Sequence, residues 1–286
     1  MQDYRKVFWL IIAATAVAGV TTVAALNKQG QSGDATLRAQ QSSQQGDEQQ
    51  QQQARKLKEH LDKFPAADYD APEDPDPDKR AKRRDKGKKY NEPRRHKYDA
   101  SNPVIGGGNN EWEWTMESTL PVKQSSAIIV GTVSDAKAFL SEDKTNIYSE
   151  YSVQAETVIK NFDDEPVRVG DTLVAERQGG RVRLRSGDIS GFFISGQNPP
   201  QVGRRYVLFL GYNKYDASNL RLMNPQDMSR HILTGYELRG GKVVALDDPG
   251  GMSFKKHDGE NEAAFLDEIR RLLADPAWDV FLVSAP

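Results

Sequence analysis

The chain has 286 residues and no cysteine, which excludes a disulfide framework, a thiolate zinc site and a catalytic cysteine. Its formal net charge is -2 at pH 7. Residues 27–103 carry 17 Lys and Arg against 14 Asp and Glu, and residues 104–286 carry 20 against 26. Because neither part is strongly basic, a domain-wide positive field that attracts nucleic acid is also excluded.

An apolar segment stands at the start of the chain. Val7–Leu26 is uncharged and matches the about 20 residues that a helix needs to cross a bilayer. Arg5 and Lys6 precede it, which places the N-terminus in the cytoplasm. The sequence therefore predicts a single-pass membrane anchor (residues 1–26) with the folded domain extracytoplasmic, in the periplasm or at the cell surface. Small residues at 16–18 and 23–25 leave open a cleaved signal peptide and a secreted protein.

Residues 27–110 are nearly free of the apolar side chains that a core requires. They begin with a glutamine-rich tract (Gln40–Gln53), continue through an acidic stretch (Asp68–Asp78) and reach a basic run (Lys79–Lys97). Such compositions hydrate well and pack poorly, so the sequence predicts a disordered, low-complexity stalk. Ala54–Phe64 has the spacing of a short helix, which is marginal on its own.

The basic run is the first candidate binding segment. Eleven of the nineteen residues in Lys79–Lys97 are Lys or Arg. Such a run can bind an anionic polymer or lipid headgroups through its charge. The alternative is a solvated segment that is neutralised by the acidic stretch before it.

A folded domain is predicted over residues 111–286. Alternation of apolar and polar residues, turn signals and a helical stripe predict its elements. The strands are Ser126–Ser134, Asn146–Lys160, Asp171–Gln178, Arg181–Arg185, Arg204–Leu210, Ile232–Leu238 and Lys242–Leu246, and the helix is Glu260–Leu273.

Gly179 and Gly180 predict a two-residue hairpin turn between two of these strands. This turn would pair Glu176 with Arg183 and would leave arginines in a row on the exposed face. The row is a candidate anion-binding ribbon of Arg181, Arg183 and Arg185. Solvated edge arginines that protect against aggregation are the alternative.

The predicted fold is mainly β, a small OB-like β-barrel with a C-terminal α-helix. The segments SSAIIVGTVSDAKAFLSED, IYSEYSVQAETVIKN, VGDTLVAERQGG and YVLFL, between residues 125 and 212, carry this prediction. Their order resembles that of the OB-fold barrels in the netrin and tissue-inhibitor-of-metalloproteinases family. The resemblance implies a barrel whose faces and loops bind partners. It does not imply zinc chelation by an N-terminal cysteine, because the chain has no cysteine.

A long connection before the strand at 204–210 is a further candidate. In Ser186–Gly203, the residues Phe192, Phe193 and Gln197 could form an apolar lip with a hydrogen-bonding group. The alternative is a strand with its aromatic rings in the core. Asp247 and Asp248 similarly suggest either a calcium site or a solvated turn.

The sequence carries no spaced motif for catalysis, and we expect no catalytic residue, no cofactor and no metal. The favoured function is a non-enzymatic, membrane-anchored binding or scaffold protein that recognises a protein or an envelope partner. One alternative is an envelope-polymer hydrolase that uses Asp188, Ser190 and His231. Another is a binder of nucleic acid or anionic polymer through the basic run and the arginine ribbon.

Overall fold

The computed structural model describes residues 51–52, 55–91, 105–108, 119–163, 165–213, 215–216, 221–222, 229–248 and 254–275. The chain divides into two compact units, Ile11–Asp62 and a larger unit of Met1–Leu10 with Lys63–Pro286. In the smaller unit, residues 55–61 are helical, and Lys58 pairs with Asp62 one turn later. The predicted anchor Val7–Leu26 lies outside the described residues. Within the described ranges, no helix has the length and apolar content to cross a membrane.

The larger unit is mainly β with a C-terminal helix, as predicted. Its elements before residue 119 are β1 (Ala66–Asp68), α1 (Pro77–Lys88) and β2 (Ile105–Gly108). The later strands are β3 (Ala127–Leu140), β4 (Ile147–Lys160), β5 (Thr172–Gln178), β6 (Gly180–Arg183), β7 (Ile189–Ile194), β8 (Arg205–Asn213), β9 (Tyr215–Asp216), β10 (Arg221–Leu222), β11 (Ser229–Arg239) and β12 (Lys242–Ala245). A 3₁₀ turn (Phe254–His257) and helix α2 (Glu262–Ala274) follow.

Five strands form a sheet that returns to its first strand. β5, β4, β3, β8 and β11 are neighbours in that order, and β12 extends the sheet from β11. β3 and β4 pair antiparallel along nearly their whole length, and β3 runs to Leu140, six residues beyond the predicted strand Ser126–Ser134. β11 pairs antiparallel with β8 and, at His231 opposite Glu176, parallel with β5. The five strands are called the closed sheet below.

Apolar side chains cover both faces of β8, which explains its continuous apolar sequence. Leu208 packs inside the closed sheet with Ile129, Tyr151 and Val153. The next residue, Phe209, packs outside with a cluster from β11, β12 and α2. The apolar stripe of α2 belongs to that outer cluster, which confirms the predicted role of the helix: it buries Phe265, Leu266 and Ile269.

A second sheet has the order β1, β6, β7, β2. β6 pairs antiparallel with β7, and the two strands from the N-terminal part of the chain pair in parallel at its edges. The predicted hairpin between β5 and β6 is therefore wrong. β5 pairs with β4 along its length and with β11 at Glu176, whereas β6 pairs with β1 and β7. The chain instead passes from one sheet to the other at Gly179, where φ is +112°.

Residues 63–91 differ from the disordered stalk that the sequence predicts. They form β1 and α1, and we call them the strap. Asp76 caps α1 by accepting hydrogen bonds from the backbone N–H groups of Asp78 and Lys79, and Pro77 starts the helix. Of the twelve residues in α1, only Gly87 is buried. Polar side chains therefore hold this helix in place, and a criterion based on apolar content misses such an arrangement.

We predict that Gly131→Ala lowers the free energy of unfolding by about 2 kcal/mol through overpacking. A methyl group at this position would lie 2.4 Å from the carbonyl oxygen of Gln154 and 2.9 Å from Val153 Cγ1. Denaturant unfolding measures the change. The control is Val174→Ala on exposed β5 surface, which we expect to change stability by less than about 0.5 kcal/mol. Equal stability of the two variants would contradict the packing described for β3 and β4.

Candidate functional site

Two glutamates face each other across neighbouring strands of the closed sheet. Glu150 of β4 is in register with Glu176 of β5. The residues next to them, Tyr151 and Ala175, lie in the inner core, so both carboxylates point to the outer face. Like charges directly opposite one another destabilise a sheet unless a cation neutralises them. This pair, the glutamate pair below, therefore requires a positive partner.

Helix α1 supplies that partner. Lys86 Nζ lies 2.8 Å from Glu150 Oε1 and 2.5 Å from Glu176 Oε1. Arg83 donates two hydrogen bonds to the carboxylate of Glu150, at 2.5 and 3.3 Å. Arg83 and Lys86 are three residues apart, so the helix presents both on one face. One helical turn thus neutralises both glutamates.

Aromatic rings complete the contact. The ring of Tyr90 stacks on that of Tyr148, with 4.2 Å between centroids and 6° between planes. The Tyr90 hydroxyl donates a hydrogen bond of 2.7 Å to Glu176 Oε2. The guanidinium of Arg83 lies 3.6 Å from the centroid of the Phe139 ring, a cation–π contact. The site therefore binds an arginine, a lysine and a tyrosine of the strap at the same time.

The protonation states at this site follow from burial and charge. Burial lowers the pKa of Lys86, but the charges of Glu176 and Glu150 outweigh it and raise the pKa overall. Burial raises the pKa of Glu150, but hydrogen bonds from Arg83 and Lys86 and their charges lower it overall. Burial and the neighbouring Glu176 raise the pKa of Tyr90 well above its ordinary value. Ammonium, carboxylate and neutral phenol are therefore the stable forms at neutral pH.

The arginine ribbon makes the opposite contact with the acidic end of the strap. β1 places Asp68 opposite Arg183, with 3.9 Å between carboxylate and guanidinium. Arg185 donates two hydrogen bonds to Asp70. These bonds are the main reason that the pKa of the Asp70 carboxyl lies below its ordinary value. Arg181 donates from Nε to the carbonyl oxygen of Phe64 at 2.8 Å. The ribbon contacts the strap in the structure, but the side chains of Arg183 and Arg185 remain 63% and 68% exposed, as in the alternative of solvated arginines.

The strap is thus complementary in charge to the surface beneath it. Its acidic end contacts Arg183 at the end of β6 and Arg185 just after it, and its basic helix lies on the glutamate pair. The described part of the basic run Lys79–Lys97 is residues 79–91, and 92–97 lie outside the described residues.

The connection expected at Ser186–Gly203 contains strand β7 rather than a loop with an exposed lip. Phe192 and Gln197 are each 2% exposed, and Phe192 packs with Val182 and Leu184. Phe193 lies in partial contact with Phe64, with 6.4 Å between ring centroids. The lip interpretation is therefore corrected. Phe192 belongs to a strand and packs in a core cluster, as the alternative expects, but that strand lies in the second sheet and not in the closed sheet.

A buried ion pair replaces the calcium site or solvated turn suggested at Asp247. Arg177 donates from Nη1 and Nη2 to both carboxylate oxygens of Asp247, at 2.8 and 2.7 Å. The two side chains are 3% and 0% exposed. Thr234 Oγ1 and the backbone N–H of Asn198 donate to the same carboxylate at 3.0 Å. This pair ties β5 to the segment after β12 and occupies the oxygens that a cation would need.

The three residues of the hydrolase alternative lie in different places. Asp188 is exposed in the β6–β7 turn, and Ser190 is buried on β7 opposite Val182. His231 lies on β11 in the other sheet, opposite Gly211 and Glu176. Burial, with a smaller contribution from the charge of Arg177, lowers the pKa of His231 to about 4. The sheet topology does not bring these residues to one edge.

One group of possible metal ligands lies between the 3₁₀ turn and α2. His257 Nδ1 is 3.1 Å from Glu260 Oε1, and Glu268 has an oxygen within 4.8 Å of both ligand atoms. The His257 ring also packs edge-on against Tyr236 and Phe265, and its Nε2 lies 3.5 Å from Thr119 Oγ1. His257 therefore already has packing and hydrogen-bond partners within the fold.

Comparisons with known proteins add no family. A scan against models of protein families finds no match, and a search of curated proteins finds none either.

Sequence reasoning missed the glutamate pair. The alternation pattern predicts Glu150 as one of the polar residues on the outer side of a strand, and the predicted hairpin pairs Glu176 with Arg183. A usable signal was present, because correct pairing of β4 with β5 places two acids side by side in a chain that also carries a basic run. The error in the hairpin concealed it.

We predict that Lys86→Ala lowers the free energy of unfolding by about 2 kcal/mol, because it leaves two facing carboxylates with less compensation. The loss is smaller than that of a fully buried pair, since the Lys86 side chain is 29% exposed. Denaturant unfolding measures it. The matched control is Lys82→Ala, which changes an exposed lysine on the same helix. We expect it to lower the free energy of unfolding by less than about 0.5 kcal/mol. Equal effects of the two substitutions would contradict the claim that Lys86 neutralises the glutamate pair.

A second prediction concerns His231. Its pKa is about 4 in the fold against 6.5 ordinarily, so between pH 6.5 and 4 the unfolded state binds the proton and the folded state does not. Stability therefore falls as pH drops through this window, by about 3 kcal/mol for this group. Unfolding of the wild type and His231→Asn at several pH values checks this. The prediction is wrong if the two profiles run parallel from pH 6.5 to 4.

Proposed function

We propose that this chain is a non-enzymatic binding or scaffold protein, anchored in a membrane by Val7–Leu26. Its folded domain lies outside the cytoplasm and recognises a protein or an envelope partner. Residues 27–62 link the anchor to the strap. The described strap shortens the proposed stalk, because the folded unit extends back to Lys63.

We further propose that the closed sheet is an OB-like barrel. Three consecutive strands, β3, β4 and β5, form a meander, and β8 pairs with the first of them. β11 then joins β8 to β5 and closes the circuit. A five-stranded Greek-key barrel that uses the face of its second and third strands for binding has this arrangement. In this chain those two strands are β4 and β5.

One observation carries the binding proposal: the outer face of β4 and β5 holds a peptide segment of the same chain. It does so through side chains of defined chemistry, the glutamate pair and the aromatic rings of Phe139 and Tyr148. The same observation weighs against lipid headgroups or an anionic polymer as the partner of Lys79–Lys97. Arg83 and Lys86 are paired with carboxylates of the domain, and Arg84 is paired with Glu73.

Reporter fusions test the proposed topology. A reporter that is active only outside the cytoplasm and one that is active only inside are joined in turn after residue 62, before the folded unit begins. We expect activity from the first and none from the second. Activity of the cytoplasmic reporter alone would reject both the anchor orientation and the extracytoplasmic function.

Site-specific photo-crosslinking tests the binding proposal. A photoreactive residue replaces Val174, which is 38% exposed and lies two residues before Glu176 on the same face of β5. The control position is Asp267 on the exposed side of α2. In native membranes we expect a discrete adduct from position 174 that position 267 does not give. Absence of an adduct at 174, or the same adduct at both positions, would contradict binding at this face.

A further inference from the structure

We propose that the glutamate pair is a binding site for a basic segment of a partner protein, and that residues 77–91 of the strap occupy it as an internal competitor. This inference rests on the proposed binding function and specifies its partner. The contacts define the chemistry that the site accepts: an arginine, a lysine three residues later and a tyrosine four residues after that. In the strap these are Arg83, Lys86 and Tyr90.

The pairing of β4 with β5, and not the strap, places the two carboxylates side by side. The backbone pairing of β4 with β5 fixes Glu150 opposite Glu176, and α1 takes no part in that pairing. If α1 detaches, two carboxylates remain side by side with no cation between them, which is an unfavourable state. The exposed site therefore favours any lysine or arginine that can reach it.

Helix α1 is held by polar contacts rather than by burial of apolar side chains. Its only buried residue is Gly87, whereas α2 buries three large apolar side chains. The other contacts of residues 77–91 are ion pairs, the ring and hydroxyl of Tyr90, and hydrogen bonds of Asn91 with Glu142 and Asp143. Ions in solution screen the ion pairs. A helix fixed in this way can exchange with a competing segment more easily than one that belongs to the core.

The charge and the aromatic rings of the site select for a basic peptide with an aromatic residue. Phosphate and other anions are repelled by the glutamate pair, which excludes nucleic acid and anionic polymers as ligands here. The rings of Tyr148 and Phe139 add a stacking surface beside the carboxylates. An isolated amine can neutralise the carboxylates but cannot stack on these rings. A peptide that combines cations with an aromatic ring is therefore favoured.

Peptide binding to the full-length chain tests the inference. The probe is a fluorescent peptide with the sequence of residues 77–91, and anisotropy reports its binding. Two forms release the strap by different means. The double variant Arg83→Ala with Lys86→Ala removes the two positive charges that contact the glutamate pair. Gly87→Val keeps every charge but brings a side chain against the backbone of Glu142, whose nitrogen would lie 3.0 Å from the added Cβ.

We expect both release forms to bind the probe about tenfold more tightly than the wild type, because the competitor is displaced. Lys82→Ala, which removes an exposed charge from the same helix, is the matched control and should bind like the wild type. Adding Glu150→Gln and Glu176→Gln to either release form should abolish binding. Circular dichroism confirms that each form retains its β structure.

Three results would overturn the inference. The release forms bind the probe no better than Lys82→Ala, or binding survives Glu150→Gln with Glu176→Gln, or light scattering shows that released chains fill the site with the strap of a second copy. The adduct at position 174 separates this failure from failure of the proposed function. If that adduct persists while the peptide does not bind, the partner has another chemistry and the binding function stands.

Discussion

Two glutamates that the pairing of β4 with β5 forces together determine how the N-terminal part of this unit is arranged. Glu150 and Glu176 cannot move apart without loss of strand register, so the sheet needs a cation at this point. Lys86 meets the need, and its position fixes the face of α1 that contacts the sheet. The acidic end of the strap then lies against Arg183 and Arg185. Complementary charge, the pairing of β1 with β6 and the burial of Phe64 thus order a segment that is mostly polar.

The closed sheet beneath the strap is built on different forces. Its interior is apolar, and the polar pair that it does bury, Arg177 with Asp247, is satisfied by further hydrogen bonds from Thr234 and Asn198. The outer cluster under α2 adds a second apolar layer. The unit therefore combines a core that depends on apolar burial with a helix, α1, that polar contacts hold in place, and we expect salt to weaken the ion pairs of that helix. That division suits a rigid binding surface with an exchangeable cover.

The sequence predicted the parts of this fold that follow from local periodicity. Alternation located β4, an apolar run located β8, and the spacing of Phe265, Leu266 and Ile269 located α2. It failed where pairing decides the outcome: Gly179 and Gly180 resemble a hairpin turn, yet they carry the chain between two sheets, and β6 pairs with β1 and β7 instead of with β5. The arginine ribbon was located and the glutamate pair was missed, because its two members meet only through that pairing. The strap was missed because composition does not reveal that acidic and basic blocks match a folded surface.

Hydrogen exchange of the α1 backbone amides in the full-length chain tests the central claim most directly. The account predicts that the amides of residues 80–88 are protected at low ionic strength, and that protection falls as salt rises while β3 and β4 stay protected. It also predicts loss of α1 protection in a chain with Glu150→Gln and Glu176→Gln. Exchange of these amides at unfolded rates in the wild type, or protection unchanged by the two substitutions, would contradict it.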